Sequence, residues 1–208
     1  MDQNSIKPPL NLNDVCPYCK RAVSFNTVFS DKDTDGLLFV FRCPRPHCHH
    51  LFAVRWREGF STTFPAIADT NEIPDKISKI SSNFYEIYQQ ANIAEHMGLD
   101  KICGMGYRRA AEYLVKDFLL YIRVTGKTKE QIYKMSFASA ISALPSQELK
   151  DIAKASSWLG NDETHTFRIW LDMSTEDLKA YIKSLASFIM FKANAEKAKT
   201  MIDSKDKP

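Results

Sequence analysis

The first third of the chain alternates apolar and polar residues with the two-residue period of β-strands. This pattern predicts three short strands, over residues 22–30, 37–43 and 51–57. It is clearest in the third, where Phe52, Val54 and Trp56 fall on one face because successive side chains of a strand point to opposite sides. The connection over 31–36 is rich in Asp and Gly, which favour turns. We therefore predict a small sheet that contains a hairpin.

From Pro74 onward the apolar positions recur every three or four residues, as on the buried face of a helix. The first such stripe consists of Ile77, Ile80, Phe84, Ile87 and Ala91. Further helices are predicted over 100–124, 128–143 and 147–159, and from Ser174 to about Lys197. Thr128 and Gln131 form a capping-box pattern, and Ser146 and Ser174 can cap the helices that follow them. Because each helix has one apolar face, we expect a four- or five-helix bundle.

The change of period predicts an α+β fold of two domains, a small N-terminal β ribbon followed by an all-α bundle. The predicted segments are a flexible leader over 1–14, the ribbon over 15–59, a linker over 60–73, the bundle over 74–197 and a polar tail over 198–208.

Composition is that of ordinary globular material, with 44% hydrophobic and 25% charged residues. The formal net charge of +3 argues neither for nor against a nucleic-acid partner. No stretch reaches the roughly 20 apolar residues of a membrane span, so no membrane partner is predicted. The start of the chain lacks the pattern of a secretory signal, which favours a cytoplasmic location with reduced thiols. Reduced cysteines in a cluster favour metal binding over disulfides.

Four cysteines have the spacing of a metal site. Cys16-Pro-Tyr-Cys19 and Cys43-Pro-Arg-Pro-His-Cys48 are two knuckles separated by the predicted hairpin, as in a zinc ribbon. Zn²⁺ prefers four tetrahedral ligands and binds thiolates well, so the predicted cofactor is a structural Zn²⁺ ion in a closed site. One alternative concerns the fourth ligand, because three histidines beside Cys48 could replace it: His47, His49 and His50.

The segment Asp31-x-Asp33-x-Asp35-Gly36 matches the opening of a calcium-binding loop. Such a loop needs a bidentate Glu at its twelfth position, which is Arg42 here, and flanking helices that this segment lacks. We therefore interpret it as a hairpin turn.

Basic and aromatic residues of the ribbon are candidates for nucleic-acid contact. They are Arg42, Arg45, Arg55 and Arg57, with Trp56 among them. Arginines beside exposed aromatic rings can bind phosphates and stack on bases. The alternative is that Trp56 covers the core of a ribbon this small.

Two motifs in the helical half carry a family resemblance. The first is the pair Arg108-Arg109 followed by Glu112 and Lys116-Asp117, and the second is Gly160-Asn161-Asp-Glu-Thr-His165. Together with the zinc ribbon ahead of them, they resemble the bacterial domain-of-unknown-function 4145 family. That resemblance implies a HEPN-like helical bundle, often dimeric. Many HEPN proteins cleave RNA in phage defence or toxin systems, and others only bind nucleotides or partners.

The resemblance also implies candidate catalytic residues. Asn161 and His165 match the polar residue and the histidine of HEPN ribonucleases, whose arginine would fall at Gly160. Arg109 or Arg168 would then have to supply the cation. Glycine cannot offer a charged fork to a phosphate.

The same residues also have a structural interpretation. Gly160-Asn161 is a natural helix end, with Gly in the left-handed conformation. Asn161 and His165 would then bond to backbone groups and to Arg109 or Glu112. An ion pair between Arg108 and Glu112 suits their spacing of four, and the lone Cys103 is expected to be a core residue.

The sequence thus supports three functional hypotheses. The first is a non-catalytic nucleic-acid- or protein-binding module of bacterial or phage type, with RNA or a protein as partner. The second is a metal-independent endoribonuclease, a toxin or defence effector that acts as a homodimer. In the third, a mobile-element protein relies on a partner for activity. The chain contains no phosphate-binding Gly loop, nucleophile elbow or paired-carboxylate motif.

Overall fold

A computed structural model of the 208-residue chain describes residues 7–8, 15–19, 21–65, 73–123, 126–162 and 169–205. The fold is α+β. The chain divides into two compact units, Met1–Ala68 and Asp69–Pro208, and this division falls inside the predicted linker.

The first unit contains a four-stranded antiparallel sheet in the order β1-β2-β3-β4. The strands are β1 (Asn26–Asp33), β2 (Gly36–Arg42), β3 (Leu51–Arg57) and β4 (Phe60–Phe64). β2 and β3 confirm the predicted strands, whereas β1 overlaps the first one but starts later and continues to Asp33, into the predicted turn. β4 occupies the start of the predicted linker, where no strand was predicted. A two-residue turn joins β3 to β4, with Glu58 at φ 50° and Gly59 at φ 91°. Two positive φ values match the right-handed twist of a hairpin, so the chain reverses and adds a strand.

The predicted hairpin turn between β1 and β2 is confirmed, with Asp33 opposite Gly36 in the register. Gly36 has φ 121°, and a Cβ atom there would lie 2.3 Å from the Trp56 carbonyl oxygen. Only glycine fits this position. Arg55 on β3 donates to both carboxylate oxygens of Asp33, at 2.8 and 2.9 Å. This bond lowers the pKa of Asp33 and raises that of Arg55.

One face of the sheet carries the core of the first unit. Its buried residues are Phe39, Phe41, Phe52 and Val54, together with Cys16 and Cys43. The Phe25 ring packs against Phe41 and Phe52, with centroids 5.5 and 4.8 Å apart. Trp56 follows on the same face of β3 and is partly buried, in keeping with a covering role.

The second unit is helical. After a 3₁₀ helix (Asp75–Lys79) come α1 (Ser82–His96), α2 (Asp100–Ile122), α3 (Lys129–Lys134), α4 (Phe137–Ser142), α5 (Gln147–Asp162) and α6 (Thr175–Lys205). The predicted caps are confirmed: Thr128 and Gln131 form a capping box, and the hydroxyls of Ser146 and Ser174 accept bonds from Leu149 N–H and Asp177 N–H.

Two boundaries in this unit differ from the prediction. The single helix predicted over 128–143 is two helices, because Met135 has extended backbone and the Ser136 hydroxyl caps α4 by accepting from Ser139 N–H at 3.1 Å. The last helix extends to Lys205 and so includes most of the predicted polar tail.

The helices share one core that contains most of the predicted apolar positions. Among them Phe84 and Phe118 are fully buried, on α1 and α2. Cys103 is 1% exposed, which confirms it as a core residue. Among the described helices, none is both long enough and apolar enough to cross a bilayer.

Candidate functional sites

The four cysteines of the first unit converge on one point. The Sγ atoms of Cys16, Cys19, Cys43 and Cys48 all lie within 4.8 Å of one another. Cys16 Sγ lies 3.8 Å from Cys48 Sγ, and Cys19 Sγ lies 3.9 Å from Cys43 Sγ. Sulfurs arranged tetrahedrally around an ion with bonds of about 2.3 Å are roughly 3.8 Å apart. This geometry fits a four-coordinate metal ion, and none of the five cysteines forms a disulfide.

Backbone hydrogen bonds close both knuckles. Cys16 N–H donates to the Arg21 carbonyl at 2.9 Å, across the first. Cys48 N–H donates to the Arg45 carbonyl at 3.0 Å, within the second. The sulfurs are thus positioned by local turns, and the sheet between them brings the turns together.

Burial and hydrogen bonds shift the pKa values of Cys16, Cys19 and Cys43. Burial raises the pKa of Cys16 to about 12 and also raises that of Cys43. For Cys19 burial acts in the same direction, but hydrogen bonds from the Arg21 backbone and from neighbouring thiols outweigh it and lower the pKa. Four thiolates this close repel one another strongly, so a divalent cation is what lets all four ionise together.

The nearby histidines lie outside this ligand cluster. Among the described residues the cluster comprises the four cysteines alone, so Cys48 completes it without His47, His49 or His50. The Nδ1 atom of His50 lies 3.4 Å from Cys48 Sγ, and its ring stacks on Tyr18 with centroids 4.2 Å apart. A hydrogen-bonding neighbour such as His50 helps to orient the Cys48 thiol, and the stacking on Tyr18 holds the His50 ring in place.

The candidate nucleic-acid residues lie mostly on the sheet face opposite the core, which we call the open face. The registers place Arg42 opposite Leu51, Arg55 opposite Leu38 and Arg57 opposite Phe60, all on this face. Arg45 lies in the second knuckle instead. Arg55 is paired with Asp33, whereas Arg42 and Arg57 have no ion-pair partner among the described residues.

A row of apolar residues crosses the open face. Phe29, Val40, Ala53 and Phe64 are register partners in turn, one from each strand. Phe29 is 50% exposed, Phe64 40% and nearby Phe60 81%. This row was not predicted because β4 was not predicted: its sequence, Phe-Ser-Thr-Thr-Phe, shows no clear two-residue alternation, and its place in the sheet depends on pairing with β3.

The helical candidates are only partly brought together. Arg108 Nε donates to Asn161 Oδ1 at 2.6 Å, and Arg108 Nη1 lies 3.8 Å from Glu112 Oε2, which confirms the predicted ion pair. Arg108, not Arg109, is therefore the arginine that contacts Asn161. His165 and Arg168 lie outside the described residues.

The predicted helix end at Gly160 is wrong, because α5 continues through it to Asp162. A Cβ atom on Gly160 would lie 2.4 Å from Arg108 Cβ and 2.7 Å from Arg108 Cγ. Glycine is therefore present because α2 and α5 approach closely there, and the aliphatic part of Arg108 occupies the space.

Asp162 is a structural residue that the sequence analysis missed. Its buried carboxylate accepts bonds from the Ile169 N–H at 2.9 Å and from the Trp170 N–H at 2.7 Å. These bonds hold Ile169 and Trp170 at the C-terminal end of α5, next to Asn161.

Buried polar groups also link α1, α2 and α3. The Asp117 carboxylate accepts short hydrogen bonds from the hydroxyls of Ser81 and Tyr133. Ser81 caps α1, accepting from Phe84 N–H at 3.3 Å, and Tyr133 lies on α3. Burial and the bond to Asp117 raise the pKa of Tyr133 to about 12.

This network predicts a pH dependence at high pH. Between pH 10 and 12 an unfolded tyrosine loses its proton while folded Tyr133 keeps it. The free energy of unfolding should therefore fall by about 2–3 kcal/mol across this window, from full stability below pH 10. Urea unfolding at several pH values measures this decrease in the free energy of unfolding. The Tyr133→Phe variant should not show the part of the decrease that Tyr133 causes. An identical fall in the variant would contradict the assignment.

Comparison of the chain with protein-family models, with curated proteins and with solved structures gives no significant match.

Proposed function

We propose that this protein is a non-catalytic binding module that contacts single-stranded nucleic acid, RNA above all, through the open face of a zinc ribbon. The single observation that carries the proposal is the juxtaposition on that face of exposed Phe29 and Phe64 with Arg42 and Arg57, which have no ion-pair partner among the described residues.

The chemistry of the open face suits a flexible strand. Bases stack on exposed aromatic rings whatever their sequence, and arginines bind the phosphates between them. Phe29 and Phe64 are three strand spacings apart, about 14 Å, which leaves room for more than one base. Arg55 is held by Asp33, so Arg42 and Arg57 are the residues that carry the phosphate contacts.

In this proposal the metal has a structural role. Four thiolates with tetrahedral spacing leave no open position for a substrate, and Zn²⁺ is the ion this ligand set favours. A reducing cytoplasm keeps such thiols available for the metal. The resemblance to the domain-of-unknown-function 4145 family supports a role in bacterial or phage defence.

Fluorescence anisotropy with a labelled single-stranded RNA 12-mer tests the proposal. Phe29→Ala and Phe64→Ala should each weaken binding at least fivefold, since one stacked base contributes about 1–3 kcal/mol. Arg42→Gln with Arg57→Gln should weaken binding further and make it less dependent on salt.

The control is Phe191→Ala, which removes an exposed ring from α6, outside the open face. It should bind RNA as the wild type does, and every variant should retain its metal. If the open-face variants bind RNA like the wild type, if Phe191→Ala loses binding as they do, or if the wild type does not bind, the open face is not a nucleic-acid site. If a partner protein binds the wild type but not the same variants, the open face is a protein-binding site instead.

A second candidate function is a metal-independent endoribonuclease that acts as a homodimer. The contact between Arg108 and Asn161 favours it, because it puts a guanidinium beside a residue of the matched motif although Gly160 lacks one. Incubation of the purified protein with the same RNA, followed by gel analysis of its length, distinguishes the two functions. Cleavage that is lost in Arg108→Ala and in His165→Ala would identify the protein as a ribonuclease. RNA that stays intact would favour the binding module.

A further inference from the structure

We propose that a cavity between α1, α2 and α3 binds a phosphate monoester through Arg109 and Lys129. The cavity has a volume of about 410 Å³ and is open to solvent. It lies in the helical unit, so this inference does not depend on the proposed function of the open face.

The charges in the cavity are unbalanced toward the positive. Three cations and one carboxylate line it: Arg109, Lys116, Lys129 and Glu112. Glu112 is already engaged, because its Oε1 accepts from Lys116 Nζ at 2.6 Å and its Oε2 faces Arg108. Lys116 also donates to the Tyr133 carbonyl at 3.1 Å, and its side chain is only 7% exposed.

Two cations remain for a ligand. Arg109 and Lys129 are exposed, and among the described residues neither has a carboxylate partner. A doubly charged anion satisfies both, whereas a carboxylate carries one charge. A phosphate monoester carries nearly two charges at neutral pH and offers three acceptor oxygens, which match a guanidinium fork and an ammonium.

The rest of the cavity suits an organic group attached to that phosphate. Its volume falls in the range of small-molecule sites and exceeds the need of a bare anion. Tyr113 and Tyr133 form one wall, with ring centroids 5.9 Å apart, and Lys129 Nζ lies 5.5 Å from the Tyr133 ring centre. The bond from Tyr133 to Asp117 holds this wall in place, so the rings present a fixed surface for a flat group.

Calorimetric titration with phenyl phosphate tests the inference, with benzoate as the singly charged analogue and inorganic phosphate as the one without a ring. Phenyl phosphate should bind saturably and about tenfold more tightly than either. Arg109→Met and Lys129→Met should each weaken it about tenfold, the usual effect of losing one charge-assisted hydrogen bond. Lys101→Met, exposed on the first turn of α2 and outside the cavity, should have no effect.

The inference fails if phenyl phosphate does not bind saturably, if benzoate binds as tightly, or if Arg109→Met and Lys129→Met bind like the wild type. It also fails if inorganic phosphate binds as tightly, because the cavity would then recognise no organic group. Far-ultraviolet circular dichroism confirms that the variants are folded. A 5′-phosphorylated dinucleotide separates the two sources of the ligand: it should bind more tightly than phenyl phosphate if the cavity receives a nucleic-acid end, and no more tightly if it receives a small metabolite.

Discussion

Removal of the metal should unfold residues 15–65 and leave the helical unit folded. The buried residues of the ribbon include two of the cysteines, and the rest of its core is a few aromatic and aliphatic side chains. Structural Zn²⁺ sites contribute about 10–16 kcal/mol of apparent binding free energy, more than a core of this size supplies. The helical core is made of different residues, so its helices do not depend on the metal.

Chelator titration followed by NMR and circular dichroism measures this effect. Dispersed amide signals of the ribbon should collapse while the helical dichroism changes little. Cys16→Ser should abolish tight metal binding, and elemental analysis should find one zinc per wild-type chain. The matched control is Cys103→Ala, which removes the cysteine outside the cluster and should keep the metal. Loss of helical signal on chelation, or a Cys16→Ser protein with wild-type zinc affinity, would contradict this division.

Truncation of Phe118 should strongly destabilise the helical unit. The Phe118 ring is 1% exposed on α2, where it lies among residues of the shared core. Phe→Ala at such a site removes the apolar transfer energy and leaves a cavity, at a cost of about 3–5 kcal/mol. That is a large fraction of the stability of a domain this size, so the midpoint of urea unfolding should fall sharply.

Urea unfolding followed by helical dichroism checks this cost, with Phe191→Ala as the control. Phe191 is 67% exposed on α6, so its truncation should change stability by no more than about 0.5 kcal/mol. Similar losses in the two variants would mean that the helical unit is not packed around Phe118.

Much of the fold could be predicted because it depends on local interactions. The strands around Phe39 and Val54 follow from period two, and the starts of α3, α5 and α6 follow from side chains that bond to backbone groups three residues away. The predicted elements are wrong where the local sequence pattern is weak. β4 is only five residues long, and its formation depends on pairing with β3. The break at Met135 divides an otherwise helical pattern.

The candidate sites also differ in how far the sequence predicts them. The cysteine cluster could be predicted because each knuckle is local and the spacing of its cysteines is typical of metal ligands. In the helical unit, spacing predicted the ion pair between Arg108 and Glu112, but it could not predict which arginine contacts Asn161, since Arg108 and Arg109 are equivalent in sequence. Adjacent helical residues point about 100° apart, so the rotation of α2 sends Arg108 to Asn161 and Arg109 to the cavity beside Lys116.

The sequence by itself determined the α+β class, the helix caps and the four cysteines that can hold a metal, because spacing along the chain controls each of them. Only the tertiary structure decided that Gly160 makes room for Arg108, that Phe29 and Phe64 lie in one row, and that Arg109 faces a cavity. These features depend on how strands pair and how helices rotate against one another, and such contacts join residues far apart in the chain.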